Sequence, residues 1–202
     1  MVVGKMTKSE LRKLYLAKRQ SLSAEERAVV SRKVADNFFA DFDLNAIRFL
    51  HCFISIEKFK EIDTRPIFEK VWREFPAIQT VVPRVNHETG DLESLTYARE
   101  TELSAGKWQI SEPSHDELVE PHEIDVVLVP LLCFDRQGHR VGYGKGFYDR
   151  FLTQCRTDCL KIGLSSFEPV DKIDDAHAGD IRLDFSVTPD NLYPAVEKLK
   201  TD

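Results

Sequence analysis

The chain reads as an α/β protein with a largely parallel central sheet, and three observations carry that expectation. Apolar runs of strand length lie at 47–55, 79–83, 125–132 and 161–164. Helical signals stand between them, as parallel strands require of their crossovers. The third run leads into Gly142, Gly144 and Gly146, the kind of loop that open α/β sheets place at the carboxyl end of a central strand. At 202 residues the chain is long enough for one well-cored domain and short for two, so 1–202 is expected to be a single unit. Residues 1–6 are expected to be a ragged start, disordered or foreign to the natural chain.

Thr7-Lys8-Ser9-Glu10 and Ser23-Ala24-Glu25-Glu26 both fit the capping box, a hydroxyl at the N-cap with Glu three residues on. They predict helices to about Gln20 and from Ala24 to about Phe39. Val30, Val34, Ala35 and Phe38 give the second helix an apolar stripe at helical spacing. Lys8 and Arg12, four apart on the first, read from the residues alone as a solvated basic face.

The run 47–55, IRFLHCFIS, is almost all apolar, as for a strand buried on both faces. A polar loop follows, then a helix from Thr64-Arg65-Pro66 to about Phe75, with Thr64 as N-cap and Pro66 in the first turn. The segments 79–83 and 92–97 form a hairpin-like excursion around Thr89-Gly90-Asp91. Residues 98–123 are loop-rich.

The central stretch is a strand over 125–132, a polar turn at Asp135–Gly138, the glycine loop, and a helix from Tyr148 to about Arg156. Strand, glycine loop and helix start together make a phosphate cradle, because glycine lets backbone N–H groups approach an anion. Arg140 and Lys145 add mobile positive charge. Asp149, just past the loop, is placed to hold a magnesium ion against phosphates. The loop is neither a Walker sequence nor a dinucleotide fingerprint. The plain alternative is a flexible hairpin with surface charges, which leaves Asp149 unexplained.

Composition narrows the classes. The net charge of −6 argues against general binding to nucleic acid or anionic membranes. Cys52, Cys133, Cys155 and Cys159 lack zinc-type spacing and read as free thiols in a reducing cytosol. No apolar run approaches the ~20 residues of a membrane span, and no signal peptide is visible. A cytoplasmic monomer acting on small molecules is expected. His177 has no evident partner and reads as structural or exposed.

The segment 130–152, PLLCFDRQGHRVGYGKGFYDRFL, resembles the signature of the 5-formyltetrahydrofolate cyclo-ligases, the methenyltetrahydrofolate synthetases. Their pattern is Arg-x-Gly-x-Gly-x-Gly-Tyr-Tyr-Asp, and this chain departs from it with Phe147 in place of the first tyrosine. The resemblance runs from Lys8 to Thr188 and is thin between 84 and 105. It implies a three-layer α/β/α sandwich of the kind shared with ribose-phosphate isomerases and coenzyme A transferases. It implies ATP as co-substrate, Mg2+ as cofactor, and closure of 5-formyltetrahydrofolate to 5,10-methenyltetrahydrofolate.

By the same resemblance, ATP would meet Lys8, Arg12, Arg140, Val141, Gly142, Tyr143, Gly144, Lys145, Gly146, Phe147 and Tyr148. Arg140 and Lys145 would be catalytic, stabilising the phosphoryl group in transfer. Folate would meet Ile54, Glu61, Trp108, Tyr143, Gly144, Lys145, Gly146 and Phe147. Glu61 suits that role because a carboxylate accepts two hydrogen bonds from an amino-pyrimidinone edge. Trp108 would either stack on the pterin or anchor its loop. Arg84, in a matching Pro-Arg, would approach phosphate or folate. Asp149 and Asp184 would hold the magnesium. A phosphosugar isomerase on the same fold, or a non-catalytic folate or nucleotide binder, stays open as an alternative.

Overall fold

The computed structural model describes residues 6–105, 111–115 and 117–196; Trp108 lies outside them. In chain order the elements are α1 (Lys8–Gln20), α2 (Ala24–Asp41), β1 (Phe49–Cys52), α3 (Arg65–Glu74), β2 (Gln79–Val85) and β3 (Leu92–Thr96). Then come β4 (Leu103–Ala105), β5 (Ser111–Pro113), β6 (Leu118–Val119), β7 (Val126–Pro130), β8 (Cys133–Phe134), β9 (Arg140–Val141) and α4 (Phe147–Leu152). The chain continues through β10 (Leu160–Leu164), β11 (Phe185–Val187) and β12 (Leu192–Pro194).

Eight strands form one sheet in the order β12-β11-β10-β7-β1-β2-β3-β6. The five strands from β11 to β2 run parallel, while β12, β3 and β6 are added antiparallel at the edges. This is the mostly parallel α/β sheet that the alternating sequence predicts. Alternation along β1 and β7 divides the core between the two faces. Leu50, Cys52, Val126 and Leu128 pack with Val34 and Phe38 of α2 and Ile67, Phe68 and Val71 of α3. Phe49, Val127 and Val129 pack with Phe151 and Leu152 of α4. Helices therefore cover both faces, and α1 lies beyond the carboxyl edge against the β8–β9 hairpin, through Leu11 and Tyr15.

Both capping boxes are present, at Thr7 with Glu10 and at Ser23 with Glu26. The antiparallel excursion is also formed, Val82 opposite Leu95, and Gly90 turns it with a φ of 76°. Several expectations need correction. The first strand is only Phe49–Cys52, because its chain turns away to build the loop that carries Glu61. Thr64 does not cap α3 with its side chain: its hydroxyl donates to the Phe53 carbonyl, 2.7 Å, and Asp63 accepts the Arg65 N–H instead. The helix after the glycine loop ends at Leu152 rather than Arg156. Strands β4, β5, β6, β8, β9, β11 and β12 are too short to show a period. Met6, expected in the ragged start, donates its N–H to Asp174, 2.7 Å.

Candidate active site

A cleft of about 990 Å³ opens along the carboxyl edge of the sheet, at the upper end of the size usual for small-molecule sites. Its floor is the glycine loop and Pro130 at the end of β7; α1 supplies Lys8 and Arg12, and the loop after β1 supplies Ile54, Phe59 and Glu61. The sheet pairing explains why these distant segments meet. β7 is central, flanked by β1 and β10, so whatever follows their carboxyl ends converges on one edge.

The glycine loop has the conformation its sequence demands. Gly144 and Gly146 sit at φ of 87° and 69°, the left-handed region where a side chain is strained. A Cβ on Gly144 would also lie 3.1 Å from the Arg12 guanidinium carbon. Arg12 Nε donates to the Gly142 carbonyl, 2.8 Å, so helix α1 is tied to the loop. α4 is only six residues long, too short to add a long helix dipole behind the loop.

Around the loop the charges are paired. Arg140 donates to Asp149 Oδ1, 2.8 Å, and to the Ile181 carbonyl. The Ile181 N–H uses the same carboxylate oxygen, 3.2 Å. Lys8 reaches both oxygens of Asp180 at 2.5 Å. Burial works against the Asp180 anion, yet Lys8 and the His177 N–H more than offset it and hold its carboxyl below the ordinary range. His177, on the cleft rim, thus has a partner: its N–H donates to Asp180 at 2.8 Å. Lys145 is exposed at the mouth.

The other end is apolar and aromatic. Ile54, Phe59, Val85, Leu92 and Phe147 line it, and the Phe59 and Tyr143 rings lie 4.9 Å apart. Glu61 is set into this wall, 3% exposed. It accepts the Tyr143 hydroxyl at 2.6 Å and the Ile56 N–H at 2.7 Å. Burial pushes its carboxyl above the ordinary range, against those hydrogen bonds and the charges of Arg19 and Arg27. Tyr148 also lines the cleft, but its hydroxyl is buried without a hydrogen-bond partner, and that burial raises its pKa and keeps it protonated.

The structure brings Lys8, Arg12, Ile54, Glu61, Asp149 and the whole run Arg140–Tyr148 to one cleft. It does not bring Asp184. That carboxylate accepts the Lys161 N–H and ammonium, 2.8 and 3.1 Å, beside the amino end of β10. The cleft lies at the other end of the strand, beyond Leu164, which pairs with Pro130, so the two are about 10 Å apart along the strand. Asp184 directly precedes β11, a parallel strand, and a residue entering such a strand sits on the edge away from the ligand. Asp180 lines the cleft in its place. Arg84 is not among the lining residues either; it pairs with Glu93 at 2.9 Å. Arg19 was missed entirely, since a cation on a helix reads as solvated, yet here it is 4% exposed.

Cations and a glycine loop at one end and a carboxylate in an aromatic wall at the other make this an α/β protein with a two-ended cleft at the carboxyl edge of its sheet. The chain belongs to the 5-formyltetrahydrofolate cyclo-ligase family, whose sequence model matches residues 4–178. It is 30% identical over 186 residues to the 5-formyltetrahydrofolate cyclo-ligase of Mycoplasma pneumoniae, covering 90% of this chain and 98% of that one. Its fold is similar to that of the 5,10-methenyltetrahydrofolate synthetase of Aquifex aeolicus, with a TM-score of 0.76, 31% identity, and coverage of 98% and 97%. The synthetase structure from Mycoplasma pneumoniae matches with a TM-score of 0.72 and 28% identity, over 91% of this chain and 99% of that one.

Proposed function

We propose that this chain converts 5-formyltetrahydrofolate to 5,10-methenyltetrahydrofolate, using ATP and magnesium and releasing ADP and phosphate. The observation that carries this reading is one cleft joining the glycine loop and the side chains of Lys8, Arg12, Arg140 and Lys145 to Glu61 in its apolar wall. The formyl oxygen attacks the γ-phosphorus, and ADP leaves. N10 then attacks the activated formyl carbon and gives up its proton to water, the ring closes, and the original formyl oxygen departs with phosphate. The formyl oxygen is a poor leaving group until it is phosphorylated, which is why a nucleotide is needed.

The protein's part is to position the reactants and neutralise charge. Lys8 and Arg12 flank the polyphosphate from α1. The N–H groups of 142–146 cradle it, and Arg140 and Lys145 stabilise the phosphoryl group in transfer. Glu61 accepts from the amino-pyrimidinone edge, with Ile54 and Phe147 against the ring faces. The described residues hold no cluster of three or more His, Cys, Asp or Glu that would bind a metal alone. That fits a magnesium arriving on the nucleotide, which needs only one or two protein carboxylates; Asp149 and Asp180 are the two at hand. When bound, the ion would offset the phosphate charge. The enzyme is proposed to act as a monomer, and four unpaired cysteines suit the cytoplasm.

The test follows methenyl absorbance with purified protein. A rise that needs 5-formyltetrahydrofolate, ATP and magnesium together is expected. Turnover of a sugar phosphate without ATP, and no methenyl signal, would place the chain with the isomerases instead.

A further inference from the structure

The Arg19 side chain is not among those that line the cleft. It lies in the last turn of α1, 4% exposed, and its Nε has no partner. Nη1 donates weakly to the Leu131 carbonyl at 3.4 Å, and Nη2 donates to the Tyr143 hydroxyl. That hydroxyl in turn donates to Glu61 Oε1, 2.6 Å. A buried cation and a buried carboxylate are thus linked through one phenol. The same end of α1 is fastened to the Glu61 loop a second time. Lys60, in the left-handed conformation with φ 46°, sends its ammonium to the carbonyls of Gln20 and Leu22, 2.7 and 2.6 Å.

Taking either charge out of water is costly unless the other is near, and removing one partner strands the other. We infer that Arg19 is a positioning residue for folate binding: acting through Tyr143, it keeps Glu61 anionic and aimed at the substrate ring. This rests on reading Glu61 as the acceptor of the folate's amino-pyrimidinone edge. Glu61 faces a small set of charged or titratable groups. These are Arg19 from α1, Tyr143 from the glycine loop, Tyr148 from α4, and Arg27 from α2. Arg27 is already engaged with Glu57 through two hydrogen bonds, which leaves Arg19 as the cation committed to the Glu61 side. Tyr143 also belongs to the phosphate loop. The relay therefore makes the state of the folate acceptor depend on the same loop that receives the nucleotide.

Burial already raises the Glu61 carboxyl, and Arg19 is among the groups that oppose this. Without Arg19 the acid form gains ground at neutral pH. A protonated Glu61 is a poorer acceptor for the two donors of the ring edge, so binding weakens from the acid side upward.

The experiment is equilibrium binding of 5-formyltetrahydrofolate to the full chain, without ATP, by calorimetry between pH 5.5 and 8.5. Arg19→Met is expected to move the acid limb of affinity up by about one pH unit, equivalent to about tenfold weaker binding in the affected range. Affinity should recover at pH 8.5. Arg19→Lys, which keeps the charge, should stay near wild type. Tyr143→Phe leaves Arg19 and its packing in place but cuts the relay, so it tests the idea even if Arg19→Met folds poorly; the limb should move the same way. Glu61→Gln should bind weakly at every pH. An acid limb unmoved in both Tyr143→Phe and Arg19→Met, with Glu61→Gln still weak, overturns the role of Arg19. Wild-type affinity in Glu61→Gln overturns instead the reading of Glu61 on which it rests.

Discussion

At the scale of single residues, the cations of the cleft differ in whether the fold already pairs them. Arg140 is committed to Asp149 and the Ile181 carbonyl, whereas the Lys145 side chain is exposed at the mouth. Lys145→Ala is therefore expected to lower kcat by about 100-fold, the usual effect of losing one donor to a developing charge. Folate affinity should fall far less than kcat, and single-turnover kinetics would measure both. Gly144→Ala acts differently. It forces a side chain into φ 87° and towards the Arg12 guanidinium, so the tie from Arg12 to Gly142 is strained. The expected result is a KM for ATP raised about tenfold, corresponding to about 1.4 kcal/mol of lost binding, with KM for folate little affected. An unchanged KM for ATP would mean that Arg12 does not meet the nucleotide.

At the scale of elements, the sheet is held where parallel strands enter it and where neighbouring layers crowd it. Asp125, just before β7, accepts the N–H groups of Arg48 and Phe49, 2.7 and 2.9 Å, and pairs with Arg156 at 2.8 Å. Asp125→Ala leaves those N–H groups at the start of β1 unpaired. It should cost about 2 kcal/mol, read as a lower Tm without loss of specific activity in the folded fraction. Gly163 in β10 has no room for a methyl group, which would lie 2.6 Å from both Leu131 and Leu183. Gly163→Ala is expected to destabilise by about 1–3 kcal/mol through overpacking, with denaturant unfolding as the measurement.

At the scale of the whole molecule, the response to acid is set by which charges the fold excludes. His51 on β1 is fully buried between layers, bonded to Ser94 at 3.0 Å with its other nitrogen unpartnered. Burial pushes its pKa down to about 3, against about 6.5 in an unfolded chain. The unfolded state therefore takes up the proton first. The stability that neutral His51 contributes is complete above about pH 6.5 and falls by about 1.4 kcal/mol per pH unit below it. Asp125 and Asp180 have depressed values; their contributions are lost only below the ordinary carboxylate range, near pH 4 and lower. In the window between pH 6.5 and 4 the histidine is the destabilising group, partly offset by Glu61, whose buried carboxyl takes up its proton first in the folded state. Melting temperatures should drop steeply across that window, and His51→Asn should flatten that slope. An equal slope in the variant would place the acid sensitivity elsewhere.

Much of this was legible in the chain itself. The capping boxes at Thr7 and Ser23, the strand period, the hairpin around Gly90 and the glycine loop are written in residues a few positions apart. Hydrogen bonds and steric limits of that range do not depend on the rest of the fold. The family pattern over 130–152 belongs to the same class. The choice between Asp180 and Asp184 does not. Both sit on one acidic loop, and only the register of β10 and β11 against β7 decides which carboxylate faces the cleft and which faces the opposite edge. Arg19 is the clearer case. Its helical position predicts exposure, and its burial comes from the glycine loop and the turn at Leu131 closing over α1 from more than a hundred residues away. Short-range chemistry determined which elements form; long-range packing decided which of their charges lost water, and those charges are the ones that shape the site.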